Sequence, residues 1–224
     1  MILVKIGVIG AGGRLGGKIA AIALDRGEEV TAIVRSTPCR DARAAVLRKS
    51  LFDLTREDVM GFDALISAYG SGFDADPDIN RRAIAHLAEI TRNTGIHLIL
   101  TGGAGCLFTG ETGESCVYED PCHPPFLKGI SKSLAEGYTT LTKETAVEYT
   151  FVCPPLTLVE NGPCTGDYLT GTDRRVLFNE DGNSYVSYDD LAGAMVDFAQ
   201  NGQFKRQLVT VVSRKGGPAG SDKS

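Results

Sequence analysis

The run Val4-Lys5-Ile6-Gly7-Val8-Ile9 leads straight into Gly10-Ala11-Gly12-Gly13-Arg14-Leu15-Gly16, and no other stretch narrows the possible folds as much. An apolar strand ending in a glycine-rich turn is followed by Lys18-Ile19-Ala20-Ala21-Ile22-Ala23-Leu24, whose small apolar residues recur at helical spacing. Gly27 stops that helix, and Val30-Thr31-Ala32-Ile33-Val34 reads as a second buried strand. The N-terminus is therefore a complete βαβ unit.

Glycines at 10, 13 and 16, with Gly12 between them, leave backbone N–H groups bare for the close approach of an anion. The helix N-terminus behind them carries partial positive charge. Together these features imply a dinucleotide pyrophosphate held by Gly10, Gly12, Gly13, Arg14, Leu15 and Gly16. The end of the second strand selects the cofactor. An acidic residue there would bond the ribose hydroxyls of NAD, whereas this strand ends in Arg35 and Ser36, a cation beside a hydroxyl. Arg14 could close on the same phosphate from the other side, so NADP(H) is expected ahead of NAD(H). The plainer alternative for Arg35 is a solvated charge at a strand end.

The rest of the chain repeats the alternation. Helix is expected at 41–49, strand at 51–54, helix near 56–60, strand at 63–68, helix at 77–93 and strand at 96–101. Two more glycine-rich exits follow strands, at 70–72 and 102–105, and would face the same crevice as the first. After a polar loop at 109–125, a helix is expected at 126–146, a strand at 149–153, a helix at 188–200 and a strand at 207–212. This order predicts an α/β protein, a Rossmann-type doubly wound parallel sheet in one domain over 1–213. A small irregular substrate region is expected at about 154–187, and a disordered tail at 214–224.

A net charge of −5 with both signs interspersed argues against a nucleic-acid or anionic-membrane surface. No apolar run reaches membrane-spanning length, so a cytoplasmic protein is expected, as monomer or homodimer. The six cysteines have no paired short spacings, which favours free thiols. Cys116, Cys122 and His123 lie close in sequence, but not at zinc-site spacing, and no metal is expected.

Several segments, in this order, resemble a known family. They are the glycine turn, Thr31-Ala32-Ile33-Val34-Arg35, Asp63-Ala64-Leu65-Ile66-Ser67-Ala68-Tyr69-Gly70 and Thr101-Gly102-Gly103-Ala104-Gly105. Further along come Ser131-Lys132-Ser133-Leu134-Ala135-Glu136-Gly137-Tyr138, Thr165-Gly166-Asp167-Tyr168 and the stretch from Gly182 to Ala192. Across nearly its whole length the chain resembles the atypical short-chain dehydrogenase/reductases grouped as NADH-flavin reductases. That group is related to biliverdin reductase B and to the nitrogen-metabolite-repression regulators. The resemblance implies that Asp53 and Leu54 flank the adenine, while Ser67, Ala68, Tyr69, Gly70, Thr101, Gly102 and Gly103 line the path to the nicotinamide. It also implies that Lys132 holds the ribose and that Pro154, Pro155 and Leu156 border the carboxamide.

The broader superfamily pairs a Tyr-x-x-x-Lys with a serine beyond the fifth strand, the tyrosine acting as general acid. Here Lys128 stands four residues before Lys132, and Ala104 or Gly105 falls at the serine position. Reduction of a simple carbonyl without a placed proton donor is slow, since general acid catalysis contributes roughly 10²–10⁴-fold. A flavin or quinone spreads the incoming charge over its ring, so orientation alone can suffice. An NADPH-dependent oxidoreductase acting on a small planar substrate, with FMN or FAD as possible substrates, is therefore expected. Lys132 and Tyr69 are its candidate catalytic residues. Tyr69 can equally be an aromatic that stacks on a ligand, while Tyr138, Tyr168 and His123 are further possible acids. His86 and His97 read as structural. The alternatives are a non-catalytic NADP(H)-sensing regulator and, more weakly, a sugar-nucleotide epimerase-like enzyme.

Overall fold

The structure, a computed structural model, describes residues 3–72, 76, 78–109 and 115–217. Its first unit is β1 (Lys5–Ile9), α1 (Arg14–Asp25) and β2 (Glu29–Val34), with β1 and β2 parallel from Lys5 opposite Glu29 to Ile9 opposite Ile33. Side chains alternate across β1: Ile6 and Val8 pack on one face of the sheet and Ile9 on the other. With helices on both faces, neither side of the strand meets water, which explains its near-continuous apolar sequence.

Beyond β2 the chain differs from expectation. Ala45–Arg48 is a short strand, β3, paired parallel to β2 at the sheet edge, where a helix over 41–49 was expected. The open edge of β2 offers unpaired backbone groups that a strand can satisfy and a helix cannot. Asp41 also turns the chain locally, its Oδ1 accepting from the Arg43 N–H at 3.0 Å. Leu51–Asp53 is one 3₁₀ turn rather than a strand, with Leu51 buried and Phe52 and Asp53 exposed.

The remaining elements are α2 (Arg56–Val59), β4 (Ala64–Ser67), α3 (Ile79–Thr91) and β5 (His97–Thr101). Then come β6 (Phe108–Thr109), β7 (Ser115–Cys116), α4 (Pro125–Leu141) and β8 (Glu148–Cys153). The chain continues through β9 (Thr157–Val159), β10 (Tyr168–Gly171), β11 (Tyr185–Ser187), α5 (Tyr188–Asn201) and β12 (Gln207–Ser213). The expected start of α3 at Pro77 lies outside the described residues, as do 110–114 of the polar loop.

The main sheet has eight strands in the order β10-β12-β8-β5-β4-β1-β2-β3, all parallel except β10. This is a Rossmann-like doubly wound sheet, and its order reverses between β1 and β4, where such folds open a crevice at the strands' carboxyl ends. One core packs Ile19, Ala20 and Ala23 of α1 with Leu191, Met195 and Phe198 of α5. The other packs Ile84 and Leu87 of α3 with Ala135 and Leu141 of α4. Among the described residues no helix is long and apolar enough to cross a membrane.

The region at 154–187 is less irregular than its composition suggests. β9 and β11 form their own parallel pair, and β10 closes the sheet edge against β12. The buried Asp190 carboxylate anchors this return: its oxygens accept from the Thr165 N–H, the Gly166 N–H, the Thr165 hydroxyl and the Ser213 hydroxyl at 2.6–2.9 Å. Residues 214–217 of the expected tail are also held. Arg214 pairs with Asp167 and Glu180, and the Gly216 N–H donates to Asp181 Oδ2. Residues 218–224 lie outside the described residues.

His97 starts β5 with its ring buried and Nε2 2.7 Å from Thr150 Oγ1. Burial, helped by the positive charge of Lys205, lowers its pKa from 6.5 to about 4. Between those values the unfolded chain takes up a proton that the native one does not. Stability from this group is thus fully present above about pH 6.5 and lost as pH falls toward 4, by on the order of 3 kcal/mol. Urea midpoints measured from pH 7.5 to 4 should fall across that window, and His97→Leu should flatten that part of the decline.

Candidate functional site

Each glycine of the first turn has its own steric reason. Gly10 has φ +79°, a left-handed conformation that only glycine adopts without strain, and its N–H donates to Ile33 O at 3.0 Å. A Cβ on Gly16 would sit 2.2 Å from the Gly10 carbonyl oxygen, and one on Gly12 would sit 2.1 Å from Thr37 O. Gly13 is freer, with only Gly10 O at 3.1 Å. α1 begins at Arg14 without an acidic residue in its first turn, so the N–H groups and the dipole there are not neutralised from within the helix.

In front of this turn lies a cleft of about 550 Å³. Its walls are the exits of β1, β2 and β4, from Gly10 to Gly13, Ile33 to Thr37 and Ala68 to Gly72, together with Lys49 to Phe52 from the turn after β3. The Arg35 guanidinium has no ion-pair partner among the described residues, whereas Lys49 Nζ lies 2.7 Å and 2.8 Å from the two carboxylate oxygens of Asp58. Ser36, Thr37 and Ser50 add hydroxyls beside Arg35. An unpaired cation, a ring of hydroxyls and a bare helix N-terminus suit a phosphorylated dinucleotide. Glycines that a Cβ would block complete the cradle.

Tyr69 borders the cleft at the end of β4, its ring edge-on to Phe52 with centroids 6.5 Å apart. Burial raises its pKa above the ordinary phenol value, against a smaller pull from Arg35 and Arg82. A raised pKa makes the phenol a poorer acid, so geometry favours the stacking role over the acid role. Ser67 is buried at the end of β4, its carbonyl accepting from Thr101 Oγ1 at 2.9 Å, which ties the ends of β4 and β5 together. Gly102 lies against Phe151 and Cys153 of β8, where a Cβ would come within 2.4 Å of Phe151.

Other expected site residues lie elsewhere. Arg14 does not face Arg35: its Nη1 is 3.0 Å from Glu160 Oε2, in a separate recess shared with Lys18 and Arg40. Lys132 lies one helical step from Ser131, the residue packed against Gly105. That step turns its side chain to solvent, 61% exposed and 3.8 Å from Glu136, rather than to a ribose in the crevice. Asp53 is exposed and does not line the cleft, while Leu54 is buried in the core with its carbonyl 3.0 Å from His86 Nε2. Leu51 and Phe52 take the wall position expected of that pair. Leu15 is partly buried against the core. Pro154 and Pro155 are buried at the end of β8, Leu156 is exposed, and none of the three lines this cleft.

Lys49 and Ser50 escaped sequence reasoning because the strand that delivers them was read as a helix, and Phe52 because its 3₁₀ turn was read as a strand. The available signal was Ala45-Val46-Leu47, a β-compatible run ahead of Lys49. Of the further candidate acids, Tyr138 packs on Phe151 with ring centroids 5.1 Å apart, under Arg174. The Tyr168 hydroxyl donates to Asp197 at 2.5 Å, and burial raises its pKa strongly. His123 differs: its Nε2 is 3.1 Å from Ser131 Oγ, beside the exit of β5. Among the described residues no three His, Cys, Asp or Glu side chains are close enough to hold a metal ion.

A family model described as NAD(P)H-binding matches residues 10–202, from the first glycine of the turn to the end of α5. The chain belongs to this NAD(P)H-binding family. The fold is thus that of an NAD(P)H-binding protein with an oxidoreductase-like architecture. Among its relatives is the uncharacterized protein YwnB of Bacillus subtilis, 34% identical over 212 residues, which are 93% of this chain and 98% of YwnB. A crystal structure from Streptococcus pneumoniae, of a protein whose name proposes an NADH-flavin reductase, superposes with a TM-score of 0.87. It is 32% identical, with 94% of this chain and 99% of that one covered. A Bacteroides thetaiotaomicron structure whose name proposes an epimerase has a TM-score of 0.82 at 26% identity, covering 96% of this chain and all of that one.

Two neighbouring glycines test how this turn is built. Gly16→Ala should lower the unfolding free energy by about 1–3 kcal/mol, because the clash with Gly10 O is against backbone. Gly17→Ala, where the nearest atom is Ala11 O at 3.4 Å, should raise it by up to about 1 kcal/mol through helix propensity. Paired urea titrations read both effects.

Proposed function

We propose that this protein is an NADPH-dependent reductase that passes hydride to a planar, conjugated acceptor such as a flavin or a quinone. One observation carries the reading: a glycine-lined cleft holding Arg35, which has no ion-pair partner among the described residues, stands in a chain that lacks the Tyr-x-x-x-Lys pair. Lys128 stands in the tyrosine position, and Lys132 faces solvent. The NADH-flavin reductase proposed for the Streptococcus pneumoniae neighbour supports the acceptor class.

In this reading Gly10, Gly12, Gly13 and Gly16 let the backbone reach the pyrophosphate, and the first turn of α1 donates to it. Arg35, with Ser36, Thr37 and Ser50, takes the 2′-phosphate that separates NADPH from NADH, while Lys49 beside them is held by Asp58. Phe52 and Tyr69 wall the adenosine side, and Gly70, Thr101, Gly102 and Gly103 lead toward the reacting end. Bound there, the cofactor supplies a hydride. The cradle's part is to hold donor and acceptor face to face and exclude water, a contribution of proximity and orientation. A ring that delocalises charge needs less help from a proton donor than a simple carbonyl does.

Stopped-flow oxidation of NADPH should accelerate on adding FMN or a quinone, and no acceleration over buffer with any planar acceptor would contradict the proposal. Arg35→Ala should weaken NADPH binding by about 10- to 100-fold, the effect of losing a charged hydrogen-bond partner, with NADH much less affected. Equal losses for the two cofactors, measured by calorimetry, would remove the NADP preference.

A further inference from the structure

The loop before α4 places one imidazole beside the exit of β5. His123 has its N–H bonded to Asp120 O at 3.0 Å, which closes a tight turn, and its Nε2 3.1 Å from Ser131 Oγ. Ser131 is buried, one and a half turns into α4, against Gly105, where a Cβ would sit 2.5 Å from the serine Oγ. Leu134, one turn further on, reaches Gly103 in the same way at 3.2 Å. Ser131 and its histidine are therefore seated on the short segment that leaves the carboxyl end of β5. In a doubly wound sheet that end faces the ligand.

His123 Nδ1 has no hydrogen-bond partner among the described residues, and the ring is half-buried. The charged groups on the elements around it are engaged or turned away. Glu119 accepts from the Cys116 N–H, and Asp120 accepts from the Cys122 N–H. On α4, Lys132 pairs with Glu136 and Lys128 is exposed. From the returning segment, Arg174 is bonded to Cys106 O and stacked on Phe108. The imidazole is anchored at one nitrogen and open at the other.

We infer that His123, oriented by Ser131, is the catalytic proton donor of this site and takes the place of the missing tyrosine. The inference rests on the reductase reading. As the acceptor takes a hydride from the reduced nicotinamide, the His123 imidazolium gives its Nδ1 proton to the ring heteroatom that carries the new negative charge. The nicotinamide is oxidised, the acceptor gains the hydride's two electrons and proton together with one proton from His123, and solvent reprotonates the imidazole. Ser131 is a positioning residue that fixes which nitrogen faces the acceptor.

Two measurements test this. The first follows the histidine imidazoles by NMR as a function of pH, free, with NADP⁺, and with adenosine 2′,5′-bisphosphate, which fills only the adenosine half. The His123 titration should move with NADP⁺ and stay unchanged with the fragment, and identical curves in all three states would place His123 away from the reacting end. The second is the pH profile of kcat with NADPH and a quinone. In the wild type kcat should fall as pH rises through the His123 titration, and His123→Gln should lower it about tenfold at neutral pH and abolish that limb, with NADPH affinity unchanged. Retention of the limb in His123→Gln would overturn the proposal. Absence of wild-type turnover would overturn the reductase reading and the proton-transfer role with it, and the NMR titration would still show whether His123 lies where it is placed.

Discussion

The carbonyl oxygen of Gly10 occupies the space where a Cβ on Gly16 would lie, 2.2 Å away, and the site depends on that contact. It brings the first turn of α1 directly against the end of β1, so that the helix N-terminus faces the crevice at the switch point between β1 and β4. Any side chain at 16 would push the helix outward and carry its N–H groups away from the ligand. Gly12 plays the matching part for β2, letting the Thr37 carbonyl pass close by and bringing Arg35 to the same cleft. Backbone approach, more than any single side chain, thus sets how the start of α1 and Arg35 share one crevice.

A second anchor acts from the other end of the chain. Asp190, buried at the start of α5, binds two backbone N–H groups and two hydroxyls, and this holds the segment at 165–166 and the end of β12 in one arrangement. Ser187 caps the same helix by accepting from the Asp190 N–H. Arg174 extends the hold, reaching back to the Cys106 carbonyl and lying 4.3 Å over the Phe108 ring. Composition suggested an irregular substrate region at 154–187, but these contacts make it an ordered flank of the β5 exit. The side chains beside that exit are therefore set by hydrogen bonds from residues far along the chain.

Much of the fold was legible because local patterns and the sheet agreed. The apolar runs at β1, β2, β4, β5 and β8 are buried on both faces, and each glycine exit lies at a carboxyl end, as parallel strands require. Legibility failed at 41–54, where helix propensity in Ala42-Arg43-Ala44-Ala45 lost to the unpaired edge of β2. That error hid Lys49 and Ser50. It failed again at Arg14 and Lys132, which are chemically apt for phosphate and ribose but face Glu160 and Glu136. Residue type states what a side chain can do, and only its direction from the backbone decides what it meets.

The sequence by itself determined the βαβ start, the glycine turn, the strand-end arginine and the lack of a tyrosine four residues before Lys132. These features follow from local spacing and side-chain chemistry, which the chain carries wherever it folds. The tertiary structure alone decided that the turn after the edge strand brings Lys49, paired with Asp58, to the cleft wall, that Arg14 serves an ion pair outside the cleft, and that His123 meets Ser131 beside Gly105. Those outcomes depend on contacts between segments distant in sequence, and no local pattern encodes them.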